Sequence, residues 1–243
     1  GFKWWIYDTQ PKCVGVSEAR FQSYLELYVH KNIVNAVDGV IPTSYGYTLP
    51  WQHYHAGIVN KPIPLPIDTT NIAFVPSRTS RDINKKVVFF HGINRPCHKG
   101  TRFIVSALEM LQKTRPDEVS VIIKGGLPLA EYLNLLKNVD VVVDQCLGYD
   151  YMSMNAMYSL AMGKVVCVSA VDESFRSFGI DDHPIIQLEP NIDQIFQKLL
   201  SIVDRRSELN RMQSESRLFV ERENNSQTVA QTYLDFIVNK LGE

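Results

Sequence analysis

Between Lys86 and Ser169, four short apolar runs alternate with longer amphipathic stretches. Val87-Val88-Phe89-Phe90 is followed by Gly100 to Lys113, and Val119-Ser120-Val121-Ile122-Ile123 by Leu129 to Lys137. Val139 to Val143 is followed by Tyr151 to Met162, and the series closes on Lys164 to Val168. A short, nearly unbroken apolar run marks a strand covered on both faces. Strands alternating with helices at this spacing build βαβ units. The segment therefore reads as α/β, a Rossmann-like parallel sheet with helices on both faces. Pro184 to Leu188 reads as a short fifth strand, and the chain is expected to be helical from Asn191 onward.

Upstream, residues 17 to 37 carry Phe21, Leu25, Tyr28, Val29, Ile33 and Val37 at helical spacing, with Ser17 placed to cap. Val40-Ile41 and Ile58-Val59 read as short strands, with a second helix between them in the aromatic-rich stretch from Ser44 to Tyr54. Lys61-Pro62-Ile63-Pro64-Leu65-Pro66 sets prolines at alternate positions, which suits neither a helix nor a central strand. It reads as an extended linker, with the domain boundary after it.

With 25 basic and 26 acidic residues in 243, no net field draws the chain to nucleic acid. Cys13, Cys97, Cys146 and Cys167 include no CxxC pair and no His cluster beside them, so buried reduced thiols are expected rather than a zinc site or a disulfide framework. No apolar run is long enough to span a bilayer.

In a doubly wound sheet, ligands bind at the carboxyl ends of the strands. After the first strand comes His91-Gly92-Ile93-Asn94-Arg95-Pro96-Cys97-His98-Lys99-Gly100-Thr101. Arg95 and Lys99, just ahead of a helix N-terminus, suit a pyrophosphate, and Gly92 lets backbone approach a ligand beside Asn94. His91 and His98 read as structural. After the second strand, Lys124-Gly125-Gly126 offers a cation and a tight turn. After the third, Asp144 and Gln145 bring a carboxylate and an amide. There Asp150 suits either a ribose hydroxyl or the cap of the next helix, and Tyr149 or Tyr151 offers a flat surface for a base.

This order of elements resembles the C-terminal domain of the GT-B fold retaining glycosyltransferases of group 1. The Gly92-to-Lys99-Gly100 turn looks like the glycine, basic residue and Lys-Gly of that family. Tyr158-Ser159-Leu160-Ala161-Met162-Gly163-Lys164-Val165-Val166 falls in register with its Glu-Ala-Met-Ala-x-Gly-x-Pro-Val-Val, and Asp150 with the acidic residue that precedes it. The resemblance covers roughly Ile33 to Val238. It implies that Arg95 and Lys99 bind donor phosphates, that Asp150 contacts the donor sugar, and that backbone at Met154 and Asn155 meets the donor. Tyr158 stands where the family holds the ribose with a Glu, and Val165 replaces its proline; a phenol cannot grip a diol as two carboxylate oxygens do.

The resemblance further implies a partial N-terminal, acceptor-side domain with linker at 1–72, a nucleotide-sugar-binding domain at 73–222, and a C-terminal helix at 223–243 that returns to the N-terminal domain. The expected activity is metal-independent hexosyl transfer, with no cofactor, from a UDP- or GDP-sugar to a glycan or lipid-linked acceptor in polysaccharide biosynthesis. The expected place is the cytoplasm or the inner face of the membrane, with peripheral association there. A catalytically silent scaffold of the same fold and a nucleotide-sugar epimerase are the alternatives.

Overall fold

A computed structural model describes residues 28–29, 31–76 and 85–241. Of the helix expected at 17–37, residues 28–29 and 31–34 are helical, with Tyr28, Val29, Ile33 and Val37 exposed, and the part before Tyr28 lies outside the described residues. Helix α1 is Tyr45–His55, capped by the Ser44 side chain, which accepts from Tyr47 N. The strands expected at Val40-Ile41 and Ile58-Val59 reduce to one parallel bridge between Val40 and Val59.

The sheet follows as β1 (Val87–Ile93), β2 (Val119–Gly125), β3 (Val141–Gln145), β4 (Val165–Val168) and β5 (Ile186–Gln187). Its order is β2-β1-β3-β4-β5, and every pairing is parallel. Between the strands lie α2 (Pro96–Lys99), α3 (Thr101–Thr114), α4 (Leu129–Leu136), α5 (Met154–Ala161) and α6 (Asp172–Ser177). After β5 come α7 (Ile192–Asp204), α8 (Leu209–Glu223) and α9 (Ser226–Leu241). The α/β reading of the sequence therefore stands, and the two shortest helices, α2 and α6, were outside it.

Period-two alternation sorts the strands' side chains onto two faces. Val87, Phe89, Val119, Val141, Val143, Val165 and Cys167 pack with Ile104, Leu108 and Leu111 of α3 and Ile195 and Leu199 of α7. On the opposite face, Phe90 and Val142 pack with Leu136, and Val166 and Val168 with Met157, Leu160, Phe219 and Val220. Both faces of β3 are covered, which is why its sequence is apolar without alternation.

The segment expected as a linker is tied down by the last two helices. Ile67 forms a parallel bridge with Asn225, and the Asn224 side chain donates to Leu65 O (2.9 Å). Arg217 of α8 donates to three main-chain carbonyls, Ile72 O (2.6 Å), Ala161 O (2.5 Å) and Thr69 O (2.5 Å). Lys164, fully buried beside Asp140, donates to Val75 O (2.7 Å), and burial lowers its pKa to about 8. Cys146 and Cys167 are buried free thiols as expected, whereas Cys97 is disulfide-bonded, a correction to the reduced reading. Cysteine spacing alone does not encode connectivity.

Arg217→Met would leave those three carbonyls without their charged donor. The expected loss is roughly 2–4 kcal/mol of stability in urea unfolding, and an unchanged midpoint would show that the crossing segment is held by other contacts.

Candidate functional site

The order β2-β1-β3-β4 places a topological switch between β1 and β3, because the connection from β1 runs outward to β2 while that from β3 runs the opposite way to β4. The loops above β1 and β2 and the start of α5 enclose a cavity of about 280 Å³ there. Seven residues singled out from the sequence line it together: Gly92, Asn94, Lys124, Gly125, Met154, Asn155 and Tyr158. Phe90, Ile93, Gly126, Leu127, Leu129 and Tyr132 complete the wall. Among the described residues, Lys124 is the only charged side chain in that lining, and no carboxylate is part of it.

Glycine makes the approach possible. A Cβ on Gly125 would lie 2.6 Å from Ile93 O, and one on Gly92 would press on the Phe90 ring at 3.3 Å. Tyr132 packs its ring against Phe90 with centroids 5.9 Å apart. Its hydroxyl donates to Asn155 O (3.1 Å) and lies 3.2 Å from Ser159 Oγ, tying α4 to α5. Burial pushes the Tyr132 pKa well above the usual phenol value. Thus Tyr132 turns ring surface, rather than a free hydroxyl, toward the cavity. It was missed in the sequence because it sits inside an ordinary helical pattern.

Beneath the cavity, Asp144 at the end of β3 is fully buried. It is ion-paired with Lys99, whose ammonium is also buried. Ser153 Oγ donates to the other carboxylate oxygen, and Asn155 Nδ2 donates to Oδ1 at 2.6 Å. Ser153 is also the N-cap of α5, accepting from Ala156 N at 3.1 Å. The following helix is therefore capped by Ser153 and not by Asp150. Asp144 is not part of the cavity lining; it meets the cavity through Asn155. Its burial follows from its place on a central strand.

Asp150 faces a different element. Its Oδ1 accepts from Tyr45 N (2.9 Å) and Ser174 Oγ (2.8 Å), and its Oδ2 from Gly46 N (2.8 Å). Its carboxylate thus sits on the N-terminus of α1, where free N–H groups and the helix dipole favour negative charge. Tyr151 is fully buried, stacked on Phe175 at 5.2 Å and donating to Asn224 Oδ1, so it offers no face to a base. Tyr149 is exposed, and neither it nor Gln145 lines the cavity. Arg95 is exposed directly after the cavity residue Asn94 and immediately precedes α2.

Gly100 closes α2 in the left-handed region at φ 69°, and a Cβ there would run into Cys146 Sγ and Leu147. This holds the Lys99 loop against β3, where Cys146 N donates to Lys99 O (2.9 Å). His91 is buried between Val143 O, 2.7 Å from Nδ1, and Thr101 Oγ1, 3.0 Å from Nε2. A carbonyl only accepts, so Nδ1 carries the proton and Nε2 accepts from the threonine. Both nitrogens are committed to the fold, as the structural reading of this histidine requires.

A larger groove of about 420 Å³ lies along β5, α7 and α8, lined in part by Gln187, Lys198 and Arg205. It lies at the sheet edge along β5, and its cations are engaged: Lys198 donates to Gln187 O and Arg205 pairs with Glu208. Among the described residues, no three His, Cys, Asp or Glu side chains gather to hold a metal ion, and no helix is long and apolar enough to cross a membrane.

Lys99→Met strands a buried carboxylate and should cost roughly 3–5 kcal/mol, whereas adding Asp144→Asn should restore much of that loss. Additive losses in a urea double-mutant cycle would contradict the pairing. Burial lowers the His91 pKa below 6.5. As pH falls through 6.5, the unfolded chain takes up a proton that the native state refuses, so stability falls toward acid. Between about pH 7.5 and 5.5, the urea midpoint should drop more in the wild type than in His91→Gln; equal drops would remove His91 from the account.

No protein-family model matches the sequence, and no curated protein matches it. Solved structures do match. Staphylococcus aureus TarM, solved with fondaparinux, alpha-GlcNAc-glycerol and UDP, superposes with a TM-score of 0.65 at 14% identity, over 85% of this chain and 45% of its own. Anabaena HepE, in complex with UDP and glucose, gives 0.66 at 13% identity over 87% and 66%. The C-terminal domain of the glycosyl transferase group 1 protein LpcC from Francisella tularensis gives 0.50 at 16% identity, over 65% of this chain and 98% of its own. The chain spans less than half the length of TarM. At these identities the likeness concerns architecture: the chain has the fold of the GT-B group 1 glycosyltransferases.

Proposed function

We propose that the chain binds a nucleotide-sugar donor in the cavity above β1 and β2 and serves sugar transfer to a glycan or lipid-linked acceptor. The observation that carries this reading is the convergence of Gly92, Asn94, Lys124, Gly125, Met154, Asn155 and Tyr158, from the ends of β1 and β2 and the first turns of α5, on one cavity. Its aromatic and aliphatic walls suit a nucleoside, and its rim cation, Lys124, suits phosphate. UDP in the TarM and HepE structures, on the same fold, supports a nucleoside diphosphate here.

In this reading the pyrophosphate leaves the cavity past Asn94 toward Arg95, whose guanidinium stabilises charge on the departing diphosphate. Lys99 acts from within its ion pair with Asp144. Transfer proceeds with retention and without a metal, and hexosyl transfer in polysaccharide assembly at the cytoplasmic face of a membrane is the proposed setting. Residues 1–72 and α9 belong to the acceptor side. Asp150 bridges the two parts by capping α1; contact with the donor sugar would require that cap to open.

One observation favours a second reading, a silent member of the fold that binds or scaffolds. The carboxylate expected to touch the sugar already accepts three hydrogen bonds, and Tyr158 replaces the ribose-binding Glu. Calorimetry with UDP, GDP and UDP-glucose separates the two. The transferase reading expects binding, with Lys124→Ala and Arg95→Ala each weakening it about tenfold. No binding of any nucleotide by the folded wild type would leave the scaffold.

A further inference from the structure

If a nucleoside occupies the cavity, its ribose must find hydrogen-bond acceptors in a wall that, among the described residues, contains no carboxylate. Tyr132 is already engaged, its hydroxyl lying between Asn155 O and Ser159 Oγ. The remaining polar side chains of the lining are Asn94, Lys124, Asn155 and Tyr158. A lysine ammonium only donates, and Asn94 lies exposed at the outer lip.

Asn155 differs because its amide cannot turn over. The group facing it is the Asp144 carboxylate, which is ion-paired with Lys99 and offers only acceptor oxygens. The atom 2.6 Å from Asp144 Oδ1 must therefore be the NH₂, and Nδ2 is the donor. The side-chain carbonyl is left facing away from Asp144, with no hydrogen-bond partner among the described residues. The main chain of Asn155 is fixed as well, since its carbonyl accepts from Tyr132 and from Ser159 Oγ (2.7 Å). A preoriented acceptor on a held backbone discriminates hydroxyls well, because no ordering is needed on binding.

We propose that Asn155 Oδ1 accepts a ribose hydroxyl of the bound nucleotide, in place of the missing carboxylate at position 158, and that Asp144 is the positioning residue that sets its orientation. The proposal rests on the nucleotide reading of the cavity. It also gives the buried Lys99–Asp144 pair a function. Lys99 and Asn155 Nδ2 both donate to Asp144 Oδ1, which fixes the amide with its carbonyl turned away from the carboxylate.

The test is calorimetric titration of the folded chain with UDP and GDP and with their 2′,3′-dideoxy counterparts. For whichever nucleotide binds, the wild type should prefer the ribose form about tenfold. Asn155→Ala, its fold checked by thermal melting, should bind both forms within about twofold of one another. Equal binding of ribose and dideoxy forms by the wild type overturns the proposal without any variant. So does preference retained in Asn155→Ala, and so does its loss in Tyr158→Phe alone, which would assign the hydroxyl to the phenol. These three outcomes leave the nucleotide reading standing, whereas failure of the wild type to bind any nucleotide removes both.

Discussion

A carboxylate on the central strand of a sheet covered on both faces has no water to solvate it and must gather donors from the protein. Asp144 gathers three, from Lys99, Ser153 and Asn155. The donors come from two parts of the site, the loop after β1 and the start of α5. Lys99 ends α2 and anchors the loop after β1, Ser153 caps α5, and Asn155 stands on the floor of the cavity. One buried charge therefore joins the loop after β1 to the start of α5, and the geometry of the site follows from satisfying it.

The same constraint explains how the charges divide. Lys99 is ion-paired inside the protein, while Lys124 is exposed in the cavity lining and Arg95 is exposed next to the lining residue Asn94. The lining thus combines aromatic and apolar side chains with one exposed cation, Lys124, which suits a ligand with a flat organic part and an anionic tail. Asp150, which resemblance would bring to the sugar, instead meets the N-terminus of α1. It links the sheet domain to the segment before the proline crossing.

The fold was legible because buried strands and amphipathic helices impose different periods on the sequence, and these agree over β1 to β4. The edges were less so. Tyr151 and Met152 look helical by composition, yet the helix begins at Met154 because Ser153 supplies the cap. The four-residue α2 and six-residue α6 are too short to show a period. At the site, the rule that ligands gather at strand ends pointed to Gly92, Asn94, Lys124 and Gly125, and the family resemblance to Met154, Asn155 and Tyr158, all of which line the cavity. It could not find Tyr132, whose role depends on a hydroxyl bond to α5, nor predict that Asp144 lies under the cavity rather than in it. Partners 45 residues apart for Lys99 and more than a hundred apart for Asp150 leave no local pattern to read.

The central claim is that the cavity between β1, β2 and α5 is the nucleotide site, and a crystal soaked with UDP and GDP tests it most directly. The account predicts density for a base and ribose between Tyr132 and Asn155, with the phosphates directed toward Arg95. Nucleotide density seated elsewhere, for instance in the groove along β5 and α7, with this cavity holding only solvent, would contradict it.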